Sequence, residues 1–335
     1  MSSSQTRGTL AGPFGKHWDD REEEVGEPIL LRDKQPVVDP AKIGISYSGG
    51  GPLVLVELGI ARALVRKQIV PNIIAGASAG SLAGAAHALD PIGGRGIDLA
   101  ADILGQVSNN LLGLTPFHII GRLIIERQNI VSLGDNAPIG PRVAGGLKKD
   151  LGLDGVTIGD FGQPPRARLM IVATDARNQT AVWLPDETRL EDALIASSAI
   201  PGVFPWREMS VAGEQLVLVD GGVVSNQPLS KLADEGCGTI YACAVGSLGP
   251  LAAPRNAVDN AMRAVTLAMH QTTKLEEDYV RLTFRSAGAA GAVHHIHPEV
   301  NVPADKFDFT PELVQQVMAE AEAATLKWLD ENHPD

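Results

Sequence analysis

The sequence predicts an α/β protein built on a parallel sheet, and three observations carry that prediction. Short β-branched runs alternate with longer stretches of helical periodicity: residues 43–47 lead to a helix carrying Leu53, Val56, Leu58, Ile60, Ala63 and Leu64, and Ile73-Ile74 leads to an Ala/Leu-rich stretch with no proline before Pro91. Both junctions are made of small residues, Ser48-Gly49-Gly50-Gly51-Pro52 and Gly76-Ala77-Ser78-Ala79-Gly80. Further apolar runs of strand length follow at 169–173, 216–219 and 240–245.

Taken in order, the first 39 residues mix Ser, Gly and Pro with the acidic run Asp19-Asp20-Arg21-Glu22-Glu23-Glu24 and show no periodic apolar face. A loosely held N-terminal arm (1–39) is expected there, followed by one domain over 40–332. Residues 1–15 contain no apolar core segment, so no signal peptide is expected. Pro52 suits the first position of a helix. Between 98 and 134 the chain is apolar but interrupted by Gln106, Ser108, Asn109, Asn110 and Pro116, which argues for a helical cap insertion or a buried helical pair rather than a membrane span. A short helix is expected at 143–150, a strand at 169–173 with a neighbour at 181–184, and a small-residue helix at 193–198 stopped by Pro201. The run at 240–245 reads as the last core strand; two long helices follow, one over 257–282 and one opening at Thr310-Pro311.

Composition bounds the function. The 335 residues are 44% hydrophobic and 20% charged, ordinary values for a globular protein, and the net charge of -12 argues against nucleic acid and against electrostatic recruitment to anionic membranes. Cys237 and Cys243 have no zinc spacing and read as reduced thiols of a reducing, cytoplasmic compartment.

The chemistry centres on Ser78. Gly-x-Ser-x-Gly between a strand and a helix makes a turn so tight that only small residues fit, leaving the serine hydroxyl exposed beside free helix N-terminal amides. The bland alternative is an ordinary loop, which the strand before it and the helix after it disfavour. Acyl transfer by serine also needs a base and donors for the oxyanion. Gly49, Gly50 and Gly51 offer unobstructed amides before a helix, and Asp220 closes a strand ahead of Gly221-Gly222. A Ser-Asp-His triad is a second arrangement, with Asp175 or Asp220 as acid and His270, His294, His295 or His297 as base. The His294-His295-x-His297 cluster has no spaced carboxylate partner and reads as solvated or structural rather than metal-binding.

Gly49-Gly50-Gly51, Gly76-Ala77-Ser78-Ala79-Gly80, Ala173-Thr174-Asp175, Ala196-Ser197-Ser198-Ala199-Ile200-Pro201 and Asp220-Gly221-Gly222 with Asn226 and Pro228 occur together and in order. In these motifs the chain resembles the patatin-like phospholipases from about residue 42 to 246. The resemblance implies a three-layer α/β/α sandwich with a mainly parallel central sheet and lipid acyl hydrolase activity through a Ser78-Asp220 dyad. It also implies an oxyanion hole of Gly49, Gly50 and Gly51 and no cofactor. Members usually follow the glycines with a spacer, then Arg or Lys, then Gly; here Pro52, Leu53 and Val54 stand in those places, so the hole relies on backbone donors alone. A catalytically silent, lipid-binding relative is the alternative from another class. The expected partner is a lipid or other acyl ester, with transient contact at a membrane surface. Phe117 and Ile120, in the apolar insertion, are the expected substrate-binding residues of a cap over Ser78.

Overall fold

The computed structural model describes residues 37–125, 131–246, 253, 257–288, 291–302 and 307–332. Most of the expected arm therefore lies outside the described residues, and its last position, Asp39, opens the first strand.

Strand β1 (Asp39–Tyr47) leads through a 3-10 turn at Gly51–Leu53 into helix α1 (Val54–Arg66), with Pro52 in the first turn, where its missing N–H costs nothing. Next come β2 (Ile73–Ala77), α2 (Ala79–Leu89), α3 (Arg95–Leu104), α4 (Pro116–Ile125) and α5 (Ile139–Leu151). Gly152, in the left-handed region at φ 69°, ends α5, as a glycine can without a β-carbon clash. The chain continues through β3 (Arg168–Asp175), β4 (Thr180–Trp183), α6 (Leu190–Ser197), β5 (Arg207–Val211) and β6 (Glu214–Asp220). It then forms α7 (Leu229–Asp234), β7 (Cys237–Cys243), α8 (Ala257–Ser286), β8 (Ala292–Ile296) and α9 (Pro311–Asn332).

The sheet runs β5-β6-β3-β2-β1-β7-β8, with β4 paired to β3. β3, β2, β1, β7 and β8 are mutually parallel, while β4 and β6 pair antiparallel with β3 and β5 pairs antiparallel with β6. Alternation along the strands divides the apolar residues between two faces. Tyr47, Ile74, Ile171 and Tyr241 join a large core shared with α1, α2, α3, α5, α6 and α9, whereas Ile73, Ala75, Met170 and Ile240 pack with Leu229, Leu232, Val280 and Phe284 of α7 and α8. Helices on both faces of a mostly parallel sheet make the α/β/α sandwich. α2 is buried almost throughout because its residues are nearly all Ala, Gly or Ser. Its His87 receives no competing solvent and pairs through Nδ1 with the Tyr47 hydroxyl at 2.8 Å; burial pushes that imidazole down to about 3, so it stays neutral.

Three elements were not expected. β8 lies beyond β7, so 240–245 is not the last strand of the sheet; β8 carries His294, packed on Tyr241, and the exposed His295. β5 and α7 form where no element was expected. The insertion at 98–134 divides in two. Ile103, Leu104, Val107 and Leu112 are core residues, whereas Phe117 on α4 is 84% exposed. The side chain of Ile120 lies outside the described residues.

Candidate active site

β2 ends at Ala77 and α2 begins at Ala79, so Ser78 alone makes the turn, at φ 53° and ψ -125°. A positive φ at a residue with a β-carbon is strained by ~1–3 kcal/mol and persists when its surroundings hold it. Here the Ser78 amide donates to Ser197 Oγ at 2.9 Å, Ser197 Oγ donates to the Val172 carbonyl at 2.7 Å, and the Ser81 hydroxyl donates to the Ser78 carbonyl at 2.6 Å. The flanking glycines are obligatory for space. A β-carbon on Gly76 would overlap the Gly80 carbonyl, and one on Gly80 would overlap the carbonyls of Tyr47 and Ser48. The hydroxyl was expected to be exposed; instead Ser78 is buried and lines an apolar cavity.

Strand register brings the second residue to the first. Ala77 pairs with Val172 of β3, and the next β3 residue, Ala173, pairs on the other side with Asp220. Asp220 Oδ2 accepts the Ser78 hydroxyl at 2.5 Å, and Oδ1 accepts the Gly222 amide at 2.8 Å. Its own backbone is fixed as well, the N–H donating to the Ala199 carbonyl at 3.0 Å and the carbonyl accepting Thr174 Oγ1 at 2.8 Å. Burial raises this carboxyl from the usual range to about 7, against the opposing pull of the Ser78 and Gly222 hydrogen bonds. A buried acid with a pKa near neutrality is suited to taking and returning a proton.

The glycine loop lies against Ser78, since a β-carbon on Gly49 would stand 3.2 Å from that of Ser78. One part of the expected oxyanion hole is corrected: the Gly49 amide is already committed to the Asn226 carbonyl at 2.9 Å and is not free to receive an oxyanion. Among the described residues the Gly50 and Gly51 amides donate to no acceptor, and Ala79, as the first residue of α2, has no intrahelical one. Gly51 takes φ 56°, a conformation that a side chain would strain. The loop after Asp220 is braced from α8, where Glu276 accepts from the Ser225 hydroxyl and, at 2.7 Å, from the Ser230 amide.

Over residues 45–233, more than half of the chain, the sequence matches the family model described as patatin-like phospholipase. The chain belongs to the patatin-like phospholipase family. Among solved structures it is similar to VipD from Legionella pneumophila, at 16% identity and a TM-score of 0.40, over 88% of this chain and 67% of that one. It is also similar to the type III effector protein ExoU, at 14% identity and a TM-score of 0.38, over 89% and 55% of the two chains. For human GIVD cytosolic phospholipase A2 the identity is 12%, the TM-score 0.46 and the coverage 89% and 62%. This patatin-like chain thus spans between about half and two thirds of the length of those proteins.

Of the residues of the alternative triad, Asp220 is the Ser78 partner just described, and His294 and His295 lie on β8. β8 stands three strand positions from β2, roughly 14 Å away at ordinary strand spacing. There His294 stacks on Tyr241, and His295 lies 3.8 Å from Glu277. His270 is on the exposed face of α8. Asp175 caps the turn after β3, accepting from the Arg177 amide at 3.0 Å and from Asn178 Nδ2 at 2.7 Å. Both cysteines are free and buried, and burial pushes the Cys237 thiol up to about 11. The cavity at Ser78 is walled by α3, the loop after it and Phe204, Phe307 and Phe309; Phe117 is not part of that wall.

Two site features escaped the sequence reading. Ser197 was recognised only as part of a motif, and its role as the acceptor for the Ser78 amide depends on a contact across 119 residues of chain. Glu276 gave no signal at all, since an acidic run such as Glu276-Glu277-Asp278 in a long amphipathic helix reads as solvated surface.

Proposed function

We propose that this chain is a serine acyl hydrolase that cleaves carboxylic ester bonds of lipids through a Ser78-Asp220 dyad. The observation that carries the reading is the hydrogen bond of 2.5 Å from Ser78 Oγ to Asp220 Oδ2, made by a strained elbow serine that lines an apolar cavity. In this mechanism ionised Asp220 takes the Ser78 proton as Oγ attacks the ester carbonyl. The tetrahedral oxyanion forms beside the Gly50, Gly51 and Ala79 amides, which donate to it. Collapse expels the alcohol, protonated by Asp220, and leaves an acyl group on Ser78. Water, deprotonated by the same carboxylate, then attacks the acyl-enzyme and releases the fatty acid.

The lipid substrate class is supported by family membership and by the apolar character of the cavity. Contact with the bilayer surface would be peripheral, since among the described residues no helix is long and apolar enough to cross a membrane. Hydrolysis of p-nitrophenyl esters by wild type, Ser78→Ala and Asp220→Asn tests the reading. Ser78→Ala is expected to be inactive while folded, and Asp220→Asn to lose ~10²–10⁴-fold in turnover. Substitution of His270, His294, His295 or His297 is expected to spare activity. A folded histidine variant as inactive as Ser78→Ala would replace the dyad by a triad.

A further inference from the structure

One side chain accounts for two glycines of the site. A β-carbon on Gly49 would stand 2.5 Å from Asn226 Oδ1, and one on Gly222 would stand 2.8 Å from the same atom. Each glycine carries only a hydrogen where that oxygen lies. Gly49 begins the glycine loop, and Gly222 supplies the amide that Asp220 Oδ1 accepts. The end of the Asn226 side chain is thus packed against both the loop and the Asp220 turn.

No hydrogen bond explains why Oδ1 is there. It is buried, and among the described residues it has no donor. A buried unpaired acceptor is costly and persists only where the surrounding chain holds it. Here the backbone does so: the Asn226 carbonyl accepts the Gly49 amide at 2.9 Å, and the Ser225 amide donates to the Gly221 carbonyl at 3.0 Å. From α8, Glu276 accepts the Ser225 hydroxyl and the Ser230 amide. The bond to Gly49 draws the loop toward Asn226, and Oδ1 sets how near it comes. The loop has no slack on its other side, where a β-carbon on Gly50 would stand 2.4 Å from Val245 Cγ2 and the Val245 amide donates to Ser48 Oγ at 3.2 Å.

We infer that Asn226 is a positioning residue whose side chain is the spacer between the glycine loop and the Asp220 turn, and that it acts on turnover through the Gly50 and Gly51 amides and through Asp220. The inference rests on the acyl hydrolase reading. Its physical content is shape. Shortening the side chain to Ala vacates the notch and lets the loop settle, which carries the adjoining Gly50 and Gly51 amides away from the developing oxyanion. Misplacement of this kind weakens stabilisation of the transition state more than binding of the ester, so the loss falls on kcat. The same geometry predicts a compensation. In Gly49→Ala the new methyl group meets Oδ1, whereas in the double variant with Asn226→Ala it takes the space that Oδ1 has left, and its nearest neighbour becomes Ser78 Cβ at 3.2 Å.

The test measures p-nitrophenyl butyrate hydrolysis and thermal melts for wild type, Asn226→Ala, Gly49→Ala and the double variant. Asn226→Ala is expected to lose at least ~10-fold in kcat with KM within ~3-fold of wild type, and Gly49→Ala at least ~100-fold. The double variant is expected to be at least ~10-fold more active than Gly49→Ala and to regain most of its lost Tm, a coupling that two unrelated sites would not show. Asn226→Ser, which also vacates the notch, stands in should Asn226→Ala fail to fold. A folded Asn226→Ala with wild-type kcat, or a double variant neither more active nor more stable than Gly49→Ala, would overturn the spacer. The melts separate this claim from the hydrolase reading. Compensation in Tm when no protein, wild type included, turns over ester would keep the spacer and defeat the hydrolase reading. Wild-type turnover that the Asn226 variants leave unchanged would do the reverse.

Discussion

At the scale of single residues, the arrangement around Asp220 couples activity to stability. Burial raises its pKa to about 7, above that of a carboxylate in the unfolded chain. Between those two values the unfolded state ionises while the native state holds its proton, so stability falls as pH rises through that window and stays lower by about 4 kcal/mol above pH 7. In the proposed mechanism activity runs the other way, because Asp220 as base must be ionised: kcat/KM is expected to rise through pH 7 and level off above it. Asp220→Asn is therefore expected to melt higher than wild type at pH 8 and to lose that advantage as pH falls toward 4, measured by thermal melts across the range. A variant destabilised equally at every pH would contradict this. Ser78 and Asp220 were legible in the sequence because each sits among glycines whose reason is local, a turn too tight for side chains. The role of the Gly49 amide was not, because its partner Asn226 lies on a loop brought there by the sheet.

At the scale of elements, the two helices outside the usual motifs deserve a test of their own packing. α9 lies against α1 where Gly59 leaves no room: a β-carbon there would stand 2.5 Å from the Met318 carbonyl and 2.6 Å from Ala321 Cβ. Arg66 and Glu322 pair across the same contact at 2.7 Å. Gly59→Ala is expected to force the helices apart and cost about 1–3 kcal/mol, read as a lower Tm. An unchanged Tm would mean that α9 is not seated on α1. Long apolar strands such as 169–173 and helices with a clear stripe such as α9 could be read from periodicity. β5 alternates polar and apolar residues at the sheet edge, α7 has six residues, and β8 carries two histidines, so none has the length or the apolar run that distinguishes a core element from a loop.

At the scale of the whole molecule, the proposed function, with a net charge of -12, makes apolar contact the expected means of reaching a lipid surface. Phe117, 84% exposed on α4, is the most exposed aromatic side chain among the described residues. Phe117→Ser is expected to weaken sedimentation with zwitterionic vesicles without changing hydrolysis of soluble butyrate esters, and added anionic lipid should not strengthen wild-type binding. Loss of butyrate hydrolysis in this variant would instead make Phe117 part of the fold that supports the dyad. All of this depends on Ser78 being a nucleophile, which covalent capture tests directly. A fluorophosphonate added to the intact chain, followed by peptide mass spectrometry, is predicted to leave its phosphonyl group on Ser78, to react more slowly with Asp220→Asn and not at all with Ser78→Ala. A wild-type chain that stays unlabelled, or a label that persists in Ser78→Ala, would contradict the account.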